Sequence, residues 1–379
     1  MNAVSLVLFI LTSLGAVYYI LSALALVSRF RRPSLQPLTL NIQRPSVSIL
    51  KPISGLDAGA GKSFLSYLSQ DYDEYEVIFG VLDEDDAAVP LLGEIVEQFA
   101  NASLHIGSEI RGANNKVRIL HNLSKHATGE VLVITDADTR VTSDFLARIT
   151  APFDDSLVGV VTCLYRGADA RGAADALEGL HMTCVFAPGV ACAEYLSGLD
   201  FGLGAAIAIR RSVLDRIGGF EPIADYLADD FQLGRRAALI GYDVKLSDYV
   251  VDVVLSGEGL GGVLARELRW SKTTRVSRPW GHFGLIFTFG FAYSLLFLLA
   301  SGFSPLGKAV LGGMTAIRGI TALIGMRCTG DFHVCRISLL PLRDLLSFAV
   351  WVGGYISRTI TWRGRRLRLL RDGRITAGP

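Results

Sequence analysis

The chain has 379 residues, with 37 Lys and Arg against 36 Asp and Glu and a formal net charge of +1 at pH 7. That balance gives no reason to expect nucleic acid as a partner. Hydrophobic residues make up 50% of the chain, more than a soluble domain usually carries, and the excess sits towards the two ends, which argues against a wholly soluble protein.

Ala3 to Ser28 contains no charged residue and is followed at once by Arg29, Arg31 and Arg32. A run of this length can cross a hydrocarbon core of about 30 Å. No basic stretch precedes it and it is too long for a typical cleaved signal, so a signal anchor over residues 1–30 is expected. The basic flank predicts that the following chain stays in the cytoplasm. A polar linker, Arg31 to Pro45, leads to a first strand at Val47 to Leu50. Gly59-Ala-Gly-Lys-Ser63 imitates a P-loop, but Leu56 stands where that motif needs its first Gly. An ordinary helix start is expected instead, with helix over Ser63 to Ser69.

Tyr75 to Leu82 reads as a second strand running into Asp83-Glu-Asp-Asp86. A helix over Val89 to Ala100 follows, and a short third strand is expected to begin at His105 and Ile106. This alternation predicts βαβ units and a mainly parallel sheet. Gly112 to Val117 reads as a turn in which Lys116 either approaches a phosphate or is a solvated surface lysine.

Val131 to Ile134 is a short apolar run that ends in Asp136-Ala-Asp138. Such a run reads as a strand buried on both faces of a parallel sheet. Ligands bind at the carboxyl ends of strands in open α/β sheets, and an Asp-x-Asp pair can hold a hard divalent cation together with phosphate oxygens. The competing reading is a turn or capping cluster. Leu157 to Cys163 is a further strand, Ala173 to Phe186 an apolar helix, and Ile207 to Gly219 a strand-to-helix passage. Gly202 and Gly204 before it allow close backbone approach to a ligand.

Asp229 and Asp230 open an apparent helix, where carboxylates cap exposed amides; beside a sugar-binding crevice one could instead be a general base. From Arg266 to Arg278 a basic residue recurs every third position. On a helix of 3.6 residues per turn these charges spiral, so some can face anionic lipid and others a diphosphate. Trp270 and Trp280 suit a membrane interface. Phe283 to Leu306 reads as a membrane segment; Ala309 to Met326 is interrupted by Arg318, costly in a bilayer unless paired. Leu345 to Ser357 is short for a span, and the tail Trp362 to Arg371 is strongly basic. The five cysteines lack zinc-ligand spacing and read as mostly buried thiols in a reducing compartment. In that compartment the sequons at Asn101 and Asn122 are chance matches.

Four motifs stand in order: Asp83-Glu-Asp-Asp86, Asp136-Ala-Asp138, Asp229-Asp230 and Arg266-Glu-Leu-Arg-Trp270. Together they resemble the ceramide glucosyltransferase family of GT-A glycosyltransferases, and the wording Ala224 to Phe231 looks most like its bacterial hopanoid-biosynthesis branch. The resemblance implies an α/β fold: a GT-A, Rossmann-like cytoplasmic catalytic domain with a mainly parallel sheet and with N-terminal and C-terminal transmembrane helices. It implies that Asp86 helps bind the nucleotide, supported by Asp83, and that Asp136 and Asp138 hold Mg2+ or Mn2+ and the donor diphosphate. On the same resemblance Asp230 is the catalytic base beside Asp229, while Arg269 and Trp270, supported by Arg266, close the donor and acceptor site. The metal together with Lys116 and Arg269 could then neutralise the charge developing on UDP.

Two departures stand out. The eukaryotic enzymes look like Asp-Ser-Gly at Asp136-Ala-Asp138, and they carry a His followed by Pro where this chain has Phe186. The expected organisation is an anchor over 1–30, a GT-A domain over 31–260, an interfacial basic helix over 261–281, membrane segments over 282–360 and a basic tail over 361–379. The expected activity is inverting transfer from a UDP-sugar, N-acetylglucosamine first, to the hydroxyl of a lipid in the bilayer. A bacteriohopanepolyol is the first choice of acceptor and ceramide glucosylation the alternative. The expected location is a bacterial inner membrane, crossed more than once. A processive polysaccharide synthase is disfavoured by Arg266 in place of Gln and by the few segments available for a channel. A non-catalytic scaffold is disfavoured because every catalytic carboxylate is present.

Overall fold

The computed structural model describes residues 2–31, 44–57, 59–362 and 364–378. Most of the expected linker, Arg31 to Pro45, lies outside the described residues. The chain divides into a sheet unit, Pro33–Ala168, Ser197–Ser256 and Gly373–Pro379, and a helical unit, Met1–Arg32, Asp169–Leu196 and Gly257–Asp372.

In the sheet unit eight strands form one sheet: β1 (Val47–Pro52), β2 (Tyr75–Val81), β3 (Ala102–Ile106), β4 (Val131–Thr135), β5 (Thr139–Arg140), β6 (Val158–Ala168), β7 (Ala206–Arg210) and β8 (Asp243–Val254). Their order is β3-β2-β1-β4-β7-β6-β8-β5. β1 to β4 run parallel to one another, as do β6 and β8, whereas β4–β7, β6–β7 and β5–β8 are antiparallel. The chain leaves β1 towards β2 and β3 on one side and returns to β4 on the other. The strand order therefore reverses between β1 and β4, the place where open α/β sheets bind ligands.

β4 is buried along its whole length. Leu132 and Ile134 join a core with Leu120, Ile209 and Phe220, and a strand covered on both faces can present polar groups only where it ends. Asp136 is the first residue past that end. Most expected elements are present with shifted bounds; the first helix runs Ala60–Tyr67. One reading is corrected: Gly112 to Val117 is not simply a turn. Asn114 caps a helix, Asn115–His126, by accepting from the Val117 amide, so Lys116 lies in a first helical turn.

Among the described residues of the helical unit three helices are long and apolar enough to cross a membrane by length and composition: Ala3–Arg31, Ala173–Ser197 and Pro305–Thr329. The sequence identified the second only as an apolar helix; it passes through a π-helical stretch, Met182–Phe186. The expected span Phe283 to Leu306 is not one straight helix. Pro279–Thr288 and Gly290–Ala300 meet at 50°, because Phe289 leaves the helical region with φ −88° and ψ 45°. Past the bend Gly290 lies against Gly15 so closely that a Cβ on Gly15 would collide with its backbone.

Arg318 does not interrupt its helix. It is buried, with Nε and Nη2 on the Asp344 carboxylate at 2.8 Å and Nη1 on the Cys184 carbonyl at 3.0 Å. The last apolar segment is a helix of 14 residues, Leu340–Gly353, about 21 Å long and short of a full crossing. Part of the basic tail forms an antiparallel hairpin of Thr359–Trp362 with Arg365–Leu369, which nothing in the sequence pattern announced.

Candidate active site

The carboxyl end of β4 delivers Asp136, and the first turn of the helix Asp229–Leu239 delivers Asp229 and Asp230. Lys116 joins them. Its Nζ lies 2.8 Å from Asp136 Oδ1 and 3.1 Å from Asp229 Oδ2. The placement follows from a local staple: the Asn114 amide donates to the Ala224 carbonyl, Asn114 Nδ2 to the Tyr226 carbonyl, and the Ala113 amide to Asp225. Gly112 permits this, because a Cβ there would lie 2.6 Å from the Ala224 carbonyl oxygen. Burial alone would lower the Lys116 ammonium, but Asp136 and Asp229 outweigh it and hold it above the ordinary lysine range.

The aspartates that open the helix do not cap it. Ala228 occupies the cap position without a side-chain bond, Asp229 is committed to Lys116, and Asp230 accepts from its neighbour, the Phe231 amide, at 2.8 Å. Burial first, and then the charge of Asp229, push the Asp230 carboxyl up to about 7, with Lys116 pulling the other way. Gly204 shows how close the carboxylates come. A Cβ there would lie 3.2 Å from Asp230 Oδ2 and 3.6 Å from Asp136 Oδ2. At Gly202 the groups a Cβ would meet are the chain's own, Ile207 Cδ1 at 2.7 Å and the Asp230 carbonyl at 2.8 Å.

Asp86 sits in the turn after β2, where its carboxylate accepts from the Gly55 amide at 2.9 Å and from the Ala88 amide at 2.9 Å. Asp83 is exposed in the same turn and accepts the Asp86 amide on its carbonyl. The Asp138 carbonyl accepts from Val254 of β8 at 2.8 Å, tying the Asp-x-Asp turn to that strand. Lys51, at the end of β1, donates to the Asp136 carbonyl at 2.7 Å. Burial pushes its ammonium down to about 7, against the pull of Asp138 and Asp136.

Among the described residues no three or more His, Cys, Asp or Glu side chains are arranged to hold a metal ion. The donor set of Asp136 and Asp138 is all oxygen, which suits a hard cation that uses one or two carboxylates and completes its shell with substrate phosphate and water. The residues present fit a cation bound in that way, together with a diphosphate.

The fourth motif lies on the helix Gly259–Ser277 of the helical unit. Arg266 pairs with Glu178 and, at 2.6 Å, with Glu258. Arg269 stands over the Trp362 ring at 5.9 Å, and Trp270 stacks on His181 with centroids 6.3 Å apart. Glu267, between them, is fully committed to Arg343 by a two-pronged bond with one arm at 2.7 Å.

The structure thus brings Lys116, Asp136, Asp229 and Asp230 together, fixes Asp86 in the turn after β2 of the same unit, and spaces Arg266, Arg269 and Trp270 along one helix. The sequence reading missed Asn114, Glu267 and Lys51. Asn114 had a signal, an N-cap residue three positions before Val117 in a helical spacing with Leu120 and Leu123. Lys51 and Glu267 had none beyond being charged, because their partners lie far along the chain.

The model of Glycosyl transferase family 21 matches residues 7–375. Ceramide glucosyltransferase 3 of Caenorhabditis elegans is 25% identical over 350 residues, 87% of this chain and 74% of that protein. Ceramide glucosyltransferase 1 of the same organism is 23% identical over 349 residues, 87% and 73% of the two chains. Among solved structures, the mannosyltransferase PcManGT from Pyrobaculum calidifontis, in complex with GDP-Man and Mn2+, superposes with a TM-score of 0.56 at 19% identity, covering 93% of this chain and 98% of that one. That likeness bears out the α/β GT-A fold. With its four motifs on that fold and a family match over nearly its whole length, the chain belongs to Glycosyl transferase family 21 and is a nucleotide-sugar glycosyltransferase.

Proposed function

We propose that the protein is a membrane-bound, metal-dependent, inverting transferase that moves a sugar from a UDP-sugar to a lipid hydroxyl on the cytoplasmic face of a bacterial inner membrane. The observation that carries this reading is the cluster at the end of β4, where the Lys116 ammonium bridges Asp136 and Asp229 and the Asp230 carboxylate lies close to that of Asp136. In this reading residues 1–30 anchor the chain, 31–260 carry the chemistry, 261–281 lie at the interface, 282–360 lie in the membrane and 361–379 form a basic tail.

Asp230 is the base. An acceptor hydroxyl is a poor nucleophile at its ordinary pKa, and a carboxylate held near 7 is matched to take its proton as the oxygen attacks the anomeric carbon; such catalysis typically contributes roughly 10² to 10⁴-fold. One displacement inverts that carbon and releases UDP. Asp136 and Asp138 would hold the cation and diphosphate and Asp86 the nucleotide, and Lys116 offers positive charge to the departing UDP. A bound Mg2+ or Mn2+ would neutralise the charge developing on that leaving group. The Arg-x-x-Arg-Trp motif, on the resemblance, contributes Arg269 and Trp270 to donor and acceptor binding.

N-acetylglucosamine onto a bacteriohopanepolyol is the preferred pair, on the wording of Ala224 to Phe231. Glucosylation of ceramide is the second reading, favoured by the named relatives and opposed by Phe186 where the eukaryotic enzymes carry His. Purified protein in detergent, given UDP-sugars with hopanoid and ceramide acceptors, is to be scored by mass spectrometry of the lipid product. N-acetylglucosaminyl-hopanoid is expected. A glucosylceramide product selects the second reading, and no transfer with any pair sinks both.

A further inference from the structure

Lys51 is fully buried, and no step of the chemistry above uses it. Its Nζ bonds are to uncharged groups: the Asp136 carbonyl at 2.7 Å and the hydroxyls of Thr135 and Thr139, each at 3.4 Å. The Tyr67 ring lies 4.0 Å from the ammonium. Burying an ammonium is expensive, and a methionine would fill the same space beside Phe64 and Tyr67 without that expense. What the buried donor accomplishes is visible in the turn above it. The Asp136 carbonyl accepts from Lys51 and also from Thr139 Oγ1 at 2.6 Å, and that hydroxyl meets Tyr67 Oη at 2.6 Å. The two ends of Asp136 are thus held by different lysines, the carbonyl by Lys51 and the carboxylate by Lys116. Lys51 lies one residue beyond the paired Leu50 and Ile134, on the two central strands between which the sheet order reverses.

We propose that Lys51 is a positioning residue for the Asp136-Ala-Asp138 turn: by fixing the Asp136 carbonyl it sets the direction in which the two carboxylates leave the sheet, and so the affinity of the site for a divalent cation with a nucleoside diphosphate. The proposal rests on the metal-diphosphate role of Asp136 and Asp138. Groups that orient metal ligands typically contribute 10- to 100-fold to metal affinity. Lys51→Met keeps the apolar stem and removes the donor.

The experiment measures Mn2+ binding to the full-length protein in detergent with UDP present, by the electron paramagnetic resonance signal of free Mn2+, so that no turnover is needed. Lys51→Met is expected to weaken binding by about 10- to 100-fold, to raise the Mn2+ concentration needed for half-maximal transfer, and to leave kcat at saturating Mn2+ largely intact. Unchanged Mn2+ affinity in a folded variant overturns the proposal, as does a kcat that stays lost at saturating Mn2+. If Lys51→Met fails to fold, Tyr67→Phe, which removes the hydroxyl under Thr139, carries the test. A weaker loss in the same direction supports the proposal, and wild-type affinity overturns it. Absence of Mn2+ binding by the unsubstituted protein instead sinks the metal-diphosphate reading, and this proposal with it.

Discussion

Two ion pairs of the helical unit and the carboxylate cluster of the sheet unit treat charge in opposite ways. In the helical unit Arg343 and Glu267 are both all but inaccessible and joined two atoms to two, and Arg318 with Asp344 repeats the arrangement. Each guanidinium has one carboxylate, in the fork geometry that satisfies both, so no charge is left over. In the sheet unit Lys116 serves both Asp136 and Asp229, with Asp230 beside them, and the Asp136 side chain keeps 39% of its surface open. That cluster holds more negative charge than its lysine can neutralise and faces solvent. Closed pairs hold apolar helices together; an open, unbalanced cluster is where a cation and a diphosphate can be added. Burial of charge does not by itself mark an active site, whereas excess charge held with access does.

The largest expected effect tests the open cluster. Asp230→Asn keeps the shape and removes the proton acceptor, so kcat should fall by about 10² to 10⁴-fold while UDP-sugar affinity changes little. Retained turnover removes Asp230 from the base role. Next comes the closed pair. Arg318→Met leaves Asp344 uncompensated among apolar helices and should cost about 3–5 kcal/mol, whereas adding Asp344→Leu should recover most of it, because a well-packed apolar pair replaces a buried ion pair at little cost. Thermal unfolding in detergent checks both; equal losses in the single and double variants would mean that the pair is not what holds those helices.

Much of the sheet unit was legible in the sequence, and much of the closed pairing was not. β4 and Asp136 were readable because a doubly covered strand must be apolar until it stops, and that rule acts within six residues. Asp229 and Asp230 were visible, but their surroundings stayed ambiguous because a capping carboxylate and an ion-paired one look alike until Lys116, more than a hundred residues earlier, is brought alongside. Arg318 read as an interruption for the same reason. Its partner, Asp344, lies on another helix, and no local pattern reports a pairing between helices. The bend at Phe289 was equally hidden, since apolar composition looks the same in a straight helix and a broken one.

A third, smaller effect follows from the pull between Lys116 and Asp230. As a base Asp230 must be ionised, and burial with Asp229 pushes it up to about 7, so kcat/KM should rise with pH through about 7 and then level off. The folded state holds this proton more tightly than the unfolded chain, so the group's contribution to folding stability declines as pH rises from about 4 to 7. Lys116 opposes the upward shift. In Lys116→Met the acid limb should therefore move to higher pH, along with weaker UDP-sugar binding. A limb that stays in place would show that another group sets it.

The smallest expected effect is the most local. Gly204 has no left-handed backbone angle, so alanine is conformationally permitted there and the whole consequence falls on what its Cβ meets: Asp230 Oδ2 at 3.2 Å and Asp136 Oδ2 at 3.6 Å. The first distance is tight and the second ordinary contact, so Gly204→Ala displaces the Asp230 carboxylate by a few tenths of an ångström. Displacements near 1 Å can cost about 10²-fold, so a loss below about tenfold in kcat is expected, with little change in thermal stability. Gly202→Ala is the contrast. Its Cβ would meet the Asp230 backbone carbonyl at 2.8 Å and Ile207 Cδ1 at 2.7 Å, and a backbone carbonyl cannot swing aside as a carboxylate can, so stability should fall as well. If Gly204→Ala left kcat and donor affinity both untouched, Asp136 and Asp230 would not be acting on one bound substrate, and the open cluster would lose its claim to be the working end of the sheet.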